Sequence, residues 1–184
     1  MMRMISIINK HSNIRNLLVC VIASVIIILT MSYGTKVFVY DVYGEFTMPD
    51  TRIAYTMAEL QAILSSIGSE GMIIWAQVHL LDYIFPLTYS FAMAFGILLE
   101  LRSAYPERSH LKLFAFLPLF GCLMDYLENI FILSQVLSYP NLSEPIIILA
   151  SAFTTIKWIS LALGFVVIIG LILVILYKRV TSRK

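Results

Sequence analysis

Charge is what this chain has least of: Asp, Glu, Lys and Arg together make up 13% of its 184 residues, about half of the share found in soluble domains. With 60% hydrophobic residues and a mean hydropathy of +0.89, too few polar side chains remain to cover a soluble surface. The expected solvent is lipid. Thirteen basic against eleven acidic residues leave a formal charge of +2, too small to suggest a nucleic-acid partner. Cysteine is nearly absent as well. Cys20 and Cys122 are single thiols in different apolar runs, and without a Cys-x-x-Cys they argue against a thiol oxidoreductase of the four-helix, quinone-linked kind. None of the apolar runs carries the Glu-x-x-His pair of di-metal bundles, so no metal is expected, and no cofactor motif is visible. No internal repeat or low-complexity tract occurs. At about 20 residues per membrane span, four spans with short connections fill the chain and leave no room for a second soluble domain.

Four long apolar runs are present, at about 17–33, 72–99, 113–137 and 146–177. The predicted fold is an all-α integral membrane protein, an antiparallel four-helix bundle forming one membrane domain over 1–184. The last run exceeds a bilayer core and is expected to tilt or project. Pro86 and Pro118 fall inside the second and third runs and are expected to bend them. Arg3, Lys10, Arg15, Arg102, Arg108, Lys112, Lys178, Arg179, Arg183 and Lys184 fall on one side, and Lys36 and Arg52 on the other. By the positive-inside rule both termini face the cytoplasm, in a multi-pass protein of the plasma membrane. The basic lead, the apolar run and the small residues Ser32 and Gly34 also fit a cleavable signal peptide; the length of the run favours a retained anchor. Tyr33, Trp75, Tyr139 and Tyr177 suit interfacial belts.

The extracytoplasmic segment, 34–71, reads in two parts. Lys36 to Phe46 is β-branched and aromatic with rough alternation, a pattern for a strand or hairpin. Thr56-Met57-Ala58-Glu59 is a capping box, and Leu60, Ile63, Leu64 and Ile67 give the following turns one apolar face, with Gly68 as the stop. A short amphipathic helix over 56–67 is therefore expected as an outer cap.

Ionisable groups inside the apolar runs are the informative exceptions, because each costs about 2.5–3.5 kcal/mol at a span's centre on insertion scales. These are Asp82, Asp125, Glu128 and Lys157, joined by Asn129 and His79. Counting from the outer ends at about 1.5 Å per residue brings all of them to one level. Asp125, Glu128 and Asn129 share a helix face by i, i+3, i+4 spacing, as do His79, Asp82 and nearly Tyr89; Thr154 lies one turn before Lys157. The second, third and fourth spans are expected to meet at this cluster, with the first at the periphery. Three carboxylates against one ammonium cannot stand uncompensated in a low-dielectric layer: either a carboxylate carries a proton or a cation completes the set. The binding candidates are Asp82, Asp125, Glu128, Asn129, Lys157 and His79. No catalytic residue is assigned.

Tyr55-Thr56 with Glu59 and Gly68, Leu81-Asp82 with Phe85-Pro86 and Tyr89, Asp125-Tyr126-Leu127-Glu128-Asn129, and Lys157-Trp158 resemble a family of small four-span prokaryotic membrane proteins to which no activity is attached. The resemblance covers about Asp50 to Trp158 and implies the architecture alone. Three function classes follow: binding or transport of a proton, cation or small ligand; an enzyme using acid/base chemistry on a lipid-soluble substrate; or an accessory subunit whose polar cluster fixes helix register. The expected partners are the bilayer and a small hydrophobic or cationic ligand. Self-association is compatible with the same pattern.

Overall fold

The structure, a computed structural model, describes residues 2–44 and 48–182. Among these residues every regular element is helical. In chain order they are α1 (Met2–His11), α2 (Ile14–Thr35), a π turn (Lys36–Tyr40), α3 (Asp41–Tyr43), α4 (Met57–His79), α5 (Phe85–Ala104), α6 (Phe116–Ser138) and α7 (Glu144–Thr181), with 3-10 turns at Pro49–Thr51, Leu80–Tyr83 and Ser109–Ala115. Four helical stretches, Ile14–Tyr43, Met57–Ala104, Ser109–Ser138 and Glu144–Thr181, are long and apolar enough to cross a membrane. The 38 residues of α7 span about 57 Å, well beyond a hydrocarbon core.

The strand or hairpin expected from Lys36 is not formed. Residues 36–43 continue the first helical stretch through the π turn and α3; Glu45 and Phe46 lie outside the described residues. The alternation is real, but a strand needs a partner, and among the described residues none is offered. A helix satisfies its backbone groups internally, so it wins at the end of an already helical run.

The capping box forms as expected. Thr56 N donates to Glu59 Oε2 at 2.8 Å and Glu59 N to Thr56 Oγ1 at 3.3 Å, and Leu60, Ile63, Leu64 and Ile67 are all buried. Gly68 breaks the helix with φ 64° and ψ −175°, a conformation that costs glycine little. The helix then resumes at once instead of stopping. Trp75, expected at an interface, is buried with its ring edge-on to His79.

The second apolar run is not one helix either. α4 gives way at Leu80–Tyr83, and Pro86 sits in the first turn of α5; Pro118 likewise follows the 3-10 turn at Ser109–Ala115 as the third residue of α6. Both prolines begin helices where the missing N–H is not needed rather than bending helix interiors.

α5 packs against α2, α6 and α7, and α6 against α7, while any contact between α2 and α7 is slight. Two apolar clusters form. At one end Ile5 and Ile8 of α1 pack with Ile97, Leu98 and Leu101 of α5 and Leu171 of α7, so α1 and the far part of α7 share this terminal end. Arg102 fastens α1 there, donating to Ser12 O at 2.8 Å and Ser12 Oγ at 2.6 Å. At the distal end Leu60, Leu64 and Trp75 of α4 pack with Ile132 of α6 and Ile147 and Ala150 of α7. The polar residues lie between these two clusters.

Candidate functional site

The interruption between α4 and α5 carries two of the candidate residues. His79 is the last residue of α4 and Asp82 lies in the 3-10 turn, both buried. A break inside an apolar bundle exposes carbonyl groups that need donors, and α6 supplies them. Asn129 Nδ2 donates to Asp82 O at 3.3 Å and the Tyr126 hydroxyl to Tyr83 O at 2.5 Å. The Asn129 amide oxygen in turn lies 3.2 Å from His79 Nε2, which is 3.6 Å from Asp82 Oδ2.

Lys157 of α7 meets the same face of α6. Its Nζ is 2.6 Å from Glu128 Oε2 and 3.4 Å from Asp125 Oδ1. Tyr89 of α5 donates its hydroxyl to Asp125 Oδ2 at 2.7 Å. Thr154, one turn before Lys157, donates to Ala150 O at 3.0 Å and is fully buried. Lys157 Nζ also lies 5.7 Å from the centre of the Trp158 ring, within the range of a cation–π contact.

All six candidates thus come together, but they divide into two groups. Asp82, Asp125 and Lys157, with Tyr89 and Thr51, line a cavity of about 130 Å³. Glu128, Asn129 and His79 stand behind this wall and hold it: Glu128 pairs with Lys157, and Asn129 and His79 secure the helix break. At about 30 Å³ per water, the cavity has room for a few waters or a small polar group. Among the described residues no three His, Cys, Asp or Glu side chains come together as ligands for a metal ion.

Phe85, Tyr89, Trp158 and Leu161 line this cavity and also a larger apolar groove of about 530 Å³ over α5, between α2 and α7. The chain through 48–56 closes the distal side. Tyr55 N donates to Ser151 Oγ at 2.9 Å and Thr155 Oγ1 to Ile53 O at 2.8 Å, which ties the segment bearing Thr51 to α7 beside Lys157. The first apolar stretch is mostly exposed, as expected of a peripheral helix, yet Ile28 and Met31 wall the cavity.

Sequence reasoning missed four contributors. Thr51 had no periodic signal. Ile28 and Met31 look like any other apolar residues of α2. Glu100, half-buried at the terminal end of the groove, falls one residue past the expected end of the second run. Its place in an α5 stripe with Ala92 and Gly96 by i, i+4, i+8 spacing could have found it.

No family model, curated protein or solved structure matches this chain. The site therefore has to be read from its own chemistry.

Proposed function

We propose that this chain is a multi-pass plasma-membrane protein, both termini cytoplasmic, that binds a small molecule drawn from within the bilayer and engages its polar group with Asp82, Asp125, Tyr89 and Lys157. On this reading residues 34–71 lie on the extracytoplasmic side. The observation that carries it is the shared wall: the polar cavity and the apolar groove meet at Phe85, Tyr89, Trp158 and Leu161. A membrane-soluble ligand needs both parts, a mostly apolar surround and a few placed polar groups. The apolar clusters on either side of the polar layer favour lateral entry over a route along the bundle axis.

A second reading, an enzyme acting on the same ligand, is favoured by the run of contacts Tyr89–Asp125–Lys157–Glu128. A phenol, two carboxylates and an ammonium in contact can pass a proton to or from a bound group.

Photolabelling tests the binding reading. A short alkyl diazirine, activated with the full chain in lipid nanodiscs and mapped by peptide mass spectrometry, should label Phe85, Tyr89 and Trp158 well above exposed residues such as Ile169 and Leu173. Even labelling over all exposed apolar residues contradicts it.

A further inference from the structure

The groove has the form of a furrow. α5 is its floor, and α2 and α7, which both pack on α5 and have at most slight contact with each other, are its walls. Ala92 and Gly96 keep the floor low, and a Cβ built on Gly96 meets no atom within 4 Å. The furrow opens into the polar cavity at Tyr89 and reaches Glu100 at the other end. The Oε2 of Glu100 is shielded and has no hydrogen-bond partner among the described residues, and an apolar chain gains nothing by running past it. From Tyr89 to Glu100 the helix rises about 16 Å. An extended hydrocarbon chain advances about 1.25 Å per carbon for bonds of about 1.5 Å, so the furrow matches a single chain of roughly 13 carbons.

The cavity fixes the other end of the ligand. Two carboxylates and one ammonium line it, and a third carboxylate, Glu128, lies 2.6 Å from that ammonium. An anionic head would meet this excess of negative charge, whereas a cationic one complements it. Aromatic rings at the junction, Phe85, Tyr89 and Trp158, offer faces to an ammonium as well. A volume of about 130 Å³ admits only a compact head.

Resting on the binding reading above, we propose that the ligand is a single-chain amphiphile with a small ammonium head. The head sits against Asp82 and Asp125 and the chain lies in the furrow over Gly96.

Protection from the diazirine label tests this and separates it from the broader reading. The full chain in phosphatidylcholine nanodiscs is labelled in the presence of tetradecylamine, hexylamine or tetradecanoate, compared at equal mole fraction in the bilayer. Tetradecylamine should halve labelling of Tyr89 and Trp158 at a concentration at least tenfold below that needed for either of the others. Gly96→Phe, whose Cβ meets no atom within 4 Å, should abolish that advantage by filling the floor of the furrow; Gly96→Leu is the smaller version of the same block. Asp125→Asn should weaken protection by both amines.

If the label maps to the site but the three competitors protect alike, or none protects because phosphatidylcholine chains already fill the furrow, the ammonium-amphiphile assignment is overturned and the binding reading survives. Retention of the tetradecylamine advantage in both Gly96 variants overturns the furrow as the chain's place. If the label does not map to the site at all, both fall.

Discussion

The two halves of the bundle use the same helices differently. Toward the terminal end α5, α6 and α7 run without interruption and pack Ile97, Leu98 and Leu101 into an apolar cluster. Toward the distal end the chain breaks at Gly68 and again between His79 and Phe85, and the polar residues gather beside the second break. The lesson lies in the backbone. Carbonyls freed by the break are bonded by Asn129 and Tyr126 of α6, so the polar layer and the irregular helix depend on each other. The terminal half is built to hold the helices together, and the distal half to hold a cavity open among them.

That contrast can be broken most severely at Lys157. Lys157→Met leaves Asp125 and Glu128 buried without the ammonium they share. At pH 8 the loss should be about 3–5 kcal/mol, as for other buried pairs stripped of one partner. Protonating either carboxylate removes the repulsion, so the variant should regain stability as the pH falls toward 5. Unfolding by denaturing detergent across that pH range measures it.

In the terminal half the expected losses come from packing alone. Leu98 is fully buried, and Leu98→Ala should cost about 2 kcal/mol, the low end for such truncations, because lipid tails offer the released helix face an equally apolar surround. This loss should not vary with pH.

The glycines sharpen the contrast with opposite signs. A Cβ on Gly68 or on Gly96 meets open space, but only Gly68 has a positive φ. Gly68→Ala should cost about 1–3 kcal/mol, because positive φ with extended ψ is a region essentially reserved for glycine. Gly96→Ala, in a regular helix, should be neutral or stabilising by up to about 1 kcal/mol. Thermal melts of both variants in the same nanodiscs separate strain from space.

The smallest effect belongs to the surface. Lys36 and Asp41 are 3.3 Å apart and both well exposed, so Lys36→Gln should change stability by about 0.5 kcal/mol or less, within the scatter of the same melts.

How far each feature was legible in the sequence follows from the range of the forces that set it. The capping box at Thr56 and the apolar face after it depend on residues within two turns, and both form as read. The meeting of Asp82, Asp125, Glu128, Asn129 and Lys157 followed from helical spacing and depth counting, since a polar side chain in an apolar helix has few places to go. The break at Leu80–Tyr83 was not legible. Leu80, Leu81 and Ile84 continue the apolar run, and Pro86 could signal either a bend or a start. What decides between them is the donors on α6, some 45 residues later. Lys36 to Tyr43 misled for a related reason: its alternation describes a strand, but pairing depends on chain elsewhere. The furrow was invisible because no single helix's periodicity says that α2 and α7 flank a groove over α5. The division of the six candidates into cavity wall and backing needed the contacts themselves.

On the proposed function, the buried polar layer is a ligand site rather than a fastening between helices. Asp125→Asn tests it most directly, because Asp125 touches Tyr89 and Lys157 and also lines the cavity. Melting temperature and diazirine labelling of Tyr89 and Trp158 would be measured on one nanodisc preparation, with tetradecylamine as competitor. The expected result is a melting temperature equal to or above that of the parent, together with loss of protection by the amine. A fall of several degrees with protection unchanged would contradict it and make the layer a fastening.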